Sequence, residues 1–341
     1  MSIKRIAVSK TGIETYELTN VNGCKAQIIT FGARIHKLFV PDRNGKFIDI
    51  VAGFDDPEGY RTENPYFNAV IGRVVNRIGN ARFTLNGKTY DLCKNDGGNC
   101  LHGGKVGFDS RIWEAKIEGE RLVLSYFSPA GEENFPANLS VKTAYSLTDD
   151  NSLKIEYYAT SDGDTPFNPT NHAYFNLDGD FKSVSEHVLF LNADKMTESN
   201  AELIATGKIL DVKGTPFDFT VPHEVGKYAG KNTPELKVFR DGYDNNFIIN
   251  KDNGDVTATV YSAQSGIKMT VKTDRPCVQL YTGNFLDGSI KGKFAFPYQS
   301  TICLETQGYP NAVNVPSFPS SILKKGDEFY SVTSYTFAVE K

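Results

Sequence analysis

The segment Arg82-Phe83-Thr84-Leu85-Asn86-Gly87-Lys88-Thr89-Tyr90-Asp91-Leu92 places an Asn-Gly step midway between two short arms whose residues alternate in polarity. Asn-Gly accepts the positive φ values of a tight two-residue turn, so the segment predicts an antiparallel hairpin. The same grammar recurs along the chain. Asn-Gly steps stand at positions 22, 44, 86 and 253, and Asp-Gly steps at 96, 162, 178, 241 and 287. Between them lie runs of period-two alternation. Leu153, Ile155, Tyr157 and Ala159 interleave with Lys154, Glu156, Tyr158 and Thr160, and Ile267, Met269 and Val271 interleave with Lys268, Thr270 and Lys272. Such runs read as strands with one wet face. Helical periodicity is hard to find, and Ser199 to Leu210 is its weak best case.

A chain of 341 residues accommodates two ordinary domains or one large β unit. No Pro/Ser-rich linker, low-complexity tract, charge block or fixed-period repeat marks a boundary, so a single domain over residues 1–341 is expected. Few helices are available to cover sheet faces. The sheets must therefore stack on one another, which predicts a large all-β antiparallel sandwich.

Lys plus Arg number 37 against 41 for Asp plus Glu, a formal charge of -4. There is no basic surplus for a nucleic-acid backbone, and no apolar run approaches a membrane span. The five cysteines are few, odd in number and free of CxxC pairs, which suits a reducing compartment. The N-terminus has no apolar core of signal-peptide length. A cytoplasmic protein with neither nucleic-acid nor membrane partners is expected.

Phosphate-loop, dinucleotide, nucleophile-elbow and H-E-x-x-H motifs are all missing. Three strand-like segments instead carry hydrogen-bonding side chains on one face. In 168–177 the polar face holds His172, Tyr174 and Asn176 above Ala173, Phe175 and Leu177; in 277–283, Gln279 and Tyr281 oppose Val278 and Leu280; in 301–307, Glu305 and Gln307 oppose Ile302 and Leu304. Each hydroxyl of a sugar both donates and accepts. Amide, phenol, imidazole and carboxylate groups supply the matching partners.

Several longer strings resemble the galactose mutarotase, or aldose 1-epimerase, family. They are Gly72-Arg73-Val74-Val75-Asn76-Arg77-Ile78, Leu101-His102-Gly103-Gly104 followed by Gly107, Phe108 and Trp113, and Asn168-Pro169-Thr170-Asn171-His172-Ala173-Tyr174-Phe175-Asn176-Leu177. Gly242-Tyr243-Asp244-Asn245-Asn246-Phe247, the stretch from Gln279 to Phe285, and Leu304-Glu305-Thr306-Gln307 with Pro310 and Asn314 complete the set, in the family's order. The resemblance implies a mutarotase-like supersandwich with an open sugar-binding cleft and interconversion of the α and β anomers of free aldohexoses such as galactose and glucose. It implies Glu305 as general base, His172 as general acid and His102 as a second imidazole near the ring oxygen. Asn76, Arg77, His102, Tyr174, Asp244 and Gln279 are the implied sugar-holding residues. No cofactor or metal is implied, and a monomer or weak homodimer is expected. Val75, Ala173, Asn245 and Asn311 depart from the residues usual in the family.

The chemistry needs only acid and base. A base removes the C1 hydroxyl proton while an acid protonates the ring oxygen, so that C1–O5 opens to an aldehyde; rotation about C1–C2 and reclosure complete the exchange. One base and one acid on opposite sides of that bond suffice, with an imidazole that titrates near neutral pH as donor. Structural alternatives stand beside these roles: His102 as a turn stabiliser, Arg77 as an ion-pair partner of Asp244. His36, His187 and His223 take structural readings. A hexose-6-phosphate epimerase would draw on Arg77 and Arg73, a glycosidase on Glu305 with Asp244, and a zinc site on His102, His172 and Glu305. A non-catalytic sugar-binding protein would keep the polar face without needing both acid and base.

Overall fold

The computed structural model describes residues 1–62 and 65–340. Its regular structure is antiparallel sheet, and the helices among these residues are 3-10 turns of three to six residues. Ser199 to Leu210 is not helical: it turns between the strands Lys195–Ser199 and Ala205–Asp211. No helix of the described residues is long and apolar enough to cross a membrane.

The hairpin at 82–92 forms as expected. Leu85 pairs with Lys88 and Phe83 with Tyr90, and Asn86 (φ 51°) and Gly87 (φ 75°) both adopt the left-handed conformation of a type I′ turn. Asn22-Gly23 and Asn44-Gly45 likewise join neighbouring strands, Glu14–Thr19 to Lys25–Ile29 and Arg34–Pro41 to Phe47–Asp49. Asp162-Gly163 lies in the short link between Ser152–Ser161 and Thr165–Pro166 without positive φ, and the other five steps lie in longer connections, each with a residue at positive φ.

Three sheets make the body. A nine-stranded sheet runs in the order Glu114–Glu118, Arg121–Ser128, Leu139–Leu147, Ser152–Ser161, Glu328–Val339, Ile267–Thr273, Ala258–Tyr261, Val188–Leu191 and His223–Glu224. A five-stranded meander spans Ser2–Val8 to Phe47–Asp49. A second five-stranded sheet runs in the order Ala205–Asp211, Lys195–Ser199, Asp244–Ile248, Cys277–Tyr281, Cys303–Gln307. One apolar cluster unites them: Leu122, Leu124, Ile155 and Tyr157 from the large sheet meet Leu18, Ile28 and Leu38 from the meander, and Val278, Leu280 and Leu304 from the other sheet. This is sheet-on-sheet packing, with the alternate residues of each strand directed inward. Tyr145 and Tyr335 stitch the layers, donating to the carbonyls of Ala33 and Leu304 at 2.6 and 3.0 Å.

Glu156 breaks the rule of a wet outer face. It points away from the core yet is only 6% exposed, because Lys154, Tyr158 and Tyr330 converge on its Oε1 at 3.0, 3.2 and 3.0 Å. Ile155 is fully buried on the inner face of the same strand and Thr160 is exposed on the outer one. In chemical denaturation, Ile155→Ala should cost about 2–5 kcal/mol and Thr160→Ala less than about 0.5 kcal/mol; equal effects would contradict this assignment of faces.

Candidate active site

Three strands of the second five-stranded sheet set out a row of polar side chains. Glu305 pairs in register with Gln279, and Asp244 on the next strand pairs with Tyr281. Val278, Leu280 and Leu304 occupy the opposite face and enter the core. Period-two geometry therefore forces Asp244, Gln279, Tyr281 and Glu305 to one side. They line a cavity of about 210 Å³ together with Asn76, Arg77, His102, His172 and Tyr174, so the residues to which the family resemblance gave a role meet in one place.

Segment 168–177 reaches this cavity by a different route from the one expected. Only Thr170–Asn171 forms a strand, and the rest is irregular chain held by isolated bridges from Phe175 to Val51 and Ile302. His172 and Tyr174 still face the cavity, but Asn176 is fully buried elsewhere and donates to Ser300 O at 2.9 Å. Gln307, on the face of Glu305, also lies beyond the cavity and donates to Asn246 Oδ1 at 2.9 Å.

The loops that complete the site are held in the left-handed region. Asn76 (φ 62°), His102 (φ 53°) and Tyr66 (φ 65°) all line the cavity, a concentration of uncommon backbone conformation that packed surroundings must enforce. Asn76 and His102 enforce each other. His102 N donates to Asn76 O at 3.1 Å, and Asn76 N donates to His102 Nδ1 at 3.2 Å. A ring nitrogen that accepts from a backbone amide carries no proton, so the neutral His102 imidazole bears its hydrogen on Nε2. Next to it, Gly103 (φ 89°) is required: a Cβ there would meet Gly72 O at 2.0 Å.

His172 and Glu305 sit side by side. His172 Nε2 is 3.5 Å from Glu305 Oε1, and the two side chains are 6% and 3% exposed. The two groups expected to serve as acid and base are therefore direct neighbours. Tyr174 stacks on the imidazole, 4.8 Å between centroids at 10°, and its hydroxyl donates to Pro65 O at 2.7 Å. Tyr66 closes the other side, edge-on to His102 at 4.6 Å and stacked at 6.2 Å on His172.

Burial decides the charge states. Loss of solvent raises the Glu305 carboxyl well above its usual range, reinforced by Asp244 and opposed by Arg77. The same loss of solvent lowers His172 to about 3 and His102 well below its usual value. Burial thus favours the uncharged form of each of these three groups, and His172 at about 3 departs from the expected imidazole titrating near neutrality. Asp244 is also raised by burial, with Arg77 and Gln279 pulling the other way.

Arg77 answers the question of its partner with two. Its Nε donates to Asp96 Oδ2 at 2.7 Å, and its Nη1 stands 4.0 Å from Asp244 Oδ2. Gln279 Nε2 donates to Asp244 Oδ1 at 2.6 Å, while Gln279 Oε1 has no partner among the described residues. Arg73 serves the interior instead, buried and bound to Ser128, Pro129, Pro136 and Thr165. No three His, Cys, Asp or Glu side chains among the described residues converge as metal ligands, His102, His172 and Glu305 included. His36, His187 and His223 lie outside the cavity, bonded to Tyr60, Leu177 and Glu224.

Sequence reasoning missed Tyr66, Asp96 and Phe285, all on the cavity wall, and placed Tyr281 only on a polar face. Asp96 carried a turn signal that concealed it. Of the unusual residues, Val75 packs with Ala69 and Ile71, Asn245 Oδ1 accepts from Asp244 N at 3.2 Å, and Asn311 Oδ1 accepts from Gly79 N at 3.1 Å.

Comparison with known proteins follows the same lines. The family model for aldose 1-epimerase matches residues 14–336. The galactose mutarotase of Bos taurus is 42% identical over 331 residues, covering 96% of this chain and 94% of that protein, and the aldose 1-epimerase of Escherichia coli is 35% identical over 329 residues, covering 95% and 94%. Among solved structures, an aldose epimerase homologue from C. elegans superposes with a TM-score of 0.88 at 33% identity, covering 95% of this chain and 98% of that one. Sequence, architecture and the composition of the cavity agree: the chain belongs to the aldose 1-epimerase family.

Proposed function

We propose that this cavity binds a free aldohexose such as galactose or glucose as its pyranose and that Glu305 and His172 pass one proton between O1 and O5. The enzyme is an aldose 1-epimerase, an isomerase that interconverts the α and β anomers of aldoses. The observation that carries the assignment of roles is the 3.5 Å contact between an imidazole and a carboxyl group that are both almost wholly buried.

Each protonation state of the pair has its own half of the reaction. With Glu305 ionised and His172 protonated, the carboxylate takes the O1 proton, the imidazolium gives one to O5, and the C1–O5 bond breaks to the aldehyde. That step leaves a carboxylic acid and a neutral imidazole. Those are the forms burial favours, and they drive the reverse: His172 takes the O5 proton as O5 attacks C1, and Glu305 returns a proton to O1. Rotation about C1–C2 in between selects the anomer. His102 offers its Nε2 hydrogen to the ring oxygen, and Asn76, Arg77, Asp244 and the free Gln279 Oε1 hold the remaining hydroxyls while the chain is open. The ring of Tyr174 fixes the plane of His172.

The residues lining the cavity span 65 to 305 in sequence, which supports one working domain over 1–341. All five thiols are free, which supports a reducing compartment such as the cytoplasm. A hexose-6-phosphate substrate finds no grip, since Arg73 is committed to the interior and Arg77 to two carboxylates.

In polarimetry the wild type should accelerate α/β exchange of galactose and glucose and release no reducing sugar from glycosides. Glu305→Gln and His172→Asn should each lower turnover by at least about a hundredfold with the fold intact; near-normal mutarotation in either would defeat the assignment. Glu305 also has a signature in stability. Its folded-state pKa is raised, so it carries no penalty below about pH 4.3, where the unfolded carboxyl is protonated too, and lowers stability as pH rises through the raised value. The melting temperature of Glu305→Gln should match the wild type at pH 4 and exceed it by about 2 °C or more at pH 8. A difference independent of pH would show that Glu305 is not buried as a strained acid.

A further inference from the structure

Asp96 lines the cavity and has no part in the proton transfer described above. It opens the tight turn Asp96-Gly97-Gly98-Asn99, closed by Asn99 N to Asp96 O at 2.9 Å and Asp96 N to Asn99 O at 3.2 Å. The preceding residue, Asn95, fastens this turn to the loop of His102: its Oδ1 accepts from Leu101 N at 2.8 Å, and its Nδ2 donates to the carbonyls of Leu101 and Gly104, both at 2.9 Å. A braced backbone thus sets the carboxylate against Arg77.

The contact is made to Nε, at 2.7 Å. That choice of nitrogen has a consequence. An anion that grips arginine bidentately uses either the Nε/Nη edge or the pair of Nη groups. Asp96 occupies the first edge, and Asp244 stands 4.0 Å from Nη1. Among the described residues that line the cavity, Arg77 is the only lysine or arginine, against Asp96, Asp244 and Glu305. Its charge is therefore already answered within the protein, and what remains for a ligand is a set of N–H donors suited to neutral hydroxyls.

We propose that Asp96 is a specificity-determining residue: by saturating Arg77 it keeps anionic sugars, uronates and sugar phosphates alike, out of a cavity that accepts their neutral counterparts. The proposal rests on the reading of the cavity as an aldose site. Without Asp96 the guanidinium would present a free Nε edge and a charge answered only by Asp244 at 4.0 Å, a standard means of holding a carboxylate or phosphate. Asp96 is about one-third exposed, so the effect is partly screened and weakens with salt.

The test measures calorimetric binding and polarimetric kcat/KM for galactose and galacturonate in the wild type, Asp96→Asn and Asp96→Glu, at low and high ionic strength. The wild type should favour galactose strongly. Asp96→Asn should lower the galactose-to-galacturonate ratio by about tenfold or more at low salt, with a smaller change at high salt, and Asp96→Glu should restore it. An unchanged ratio in Asp96→Asn overturns the proposal, as does a loss of both sugars in equal measure, which is the mark of a purely structural residue. Should Asp96→Asn not fold, Asp96→Ser gives the same comparison. A wild type that binds galactose without turning it over would refute the catalytic reading, and the binding ratio would still judge Asp96.

Discussion

A carboxyl group removed from water is the constraint around which this molecule is arranged. Glu305 lies 3% exposed in the middle of a strand whose other face belongs to the core. Ionisation there needs compensation, and none of the surrounding groups supplies it in full: Asp244 opposes it, Arg77 favours it from a distance, and Gln279 is bonded to Asp244. The result is a carboxyl group only weakly committed to its charge, as the proposed role of base requires. A fully solvated or firmly ion-paired carboxylate would hold a proton less readily.

The two kinds of scaffold in the site match two kinds of demand. Strands deliver Asp244, Gln279 and Glu305 at fixed spacing, because ladder hydrogen bonds and a buried opposite face leave no freedom of register. Loops deliver Asn76, His102 and Tyr66 in left-handed backbone, where two or more chain segments constrain one another. Rings then align rings: Tyr174 stacks beneath His172 and Tyr66 covers both imidazoles. Several of these contacts are made far apart in sequence. The large core that unites three sheets supplies the stability against which such strained and desolvated groups can be held in place.

Much of this was legible in the residues alone. Alternation in 153–160 and 267–271 disclosed strands and their inner faces, and the hairpin at 82–92 disclosed its turn. The polar faces at Gln279 and Glu305 followed from periodicity. Other parts were hidden for identifiable reasons. Asn176 and Gln307 have the right parity but leave the cavity because the first belongs to irregular chain and the second lies past the cavity's edge, bonded to Asn246. Asp96 read as punctuation, since a turn residue and a ligand to arginine look alike in one dimension. The charge states of the imidazoles depend on solvent exclusion, a property of the whole fold that no local pattern encodes.

The contact of His172 with Glu305 has one more implication, for the traffic of hydrogen rather than its placement. In the proton transfer proposed above, ring opening and ring closing consume and regenerate the same two protonation states, so the count of protons in the cavity would be unchanged at every stage of a turnover. Nothing would have to be delivered from or discharged to the medium. A site organised in that way would run as a closed circuit, with a turnover indifferent to the concentration of buffer and no use for a chain of waters leading to the surface. The burial that makes Glu305 a reluctant anion is also what insulates the circuit.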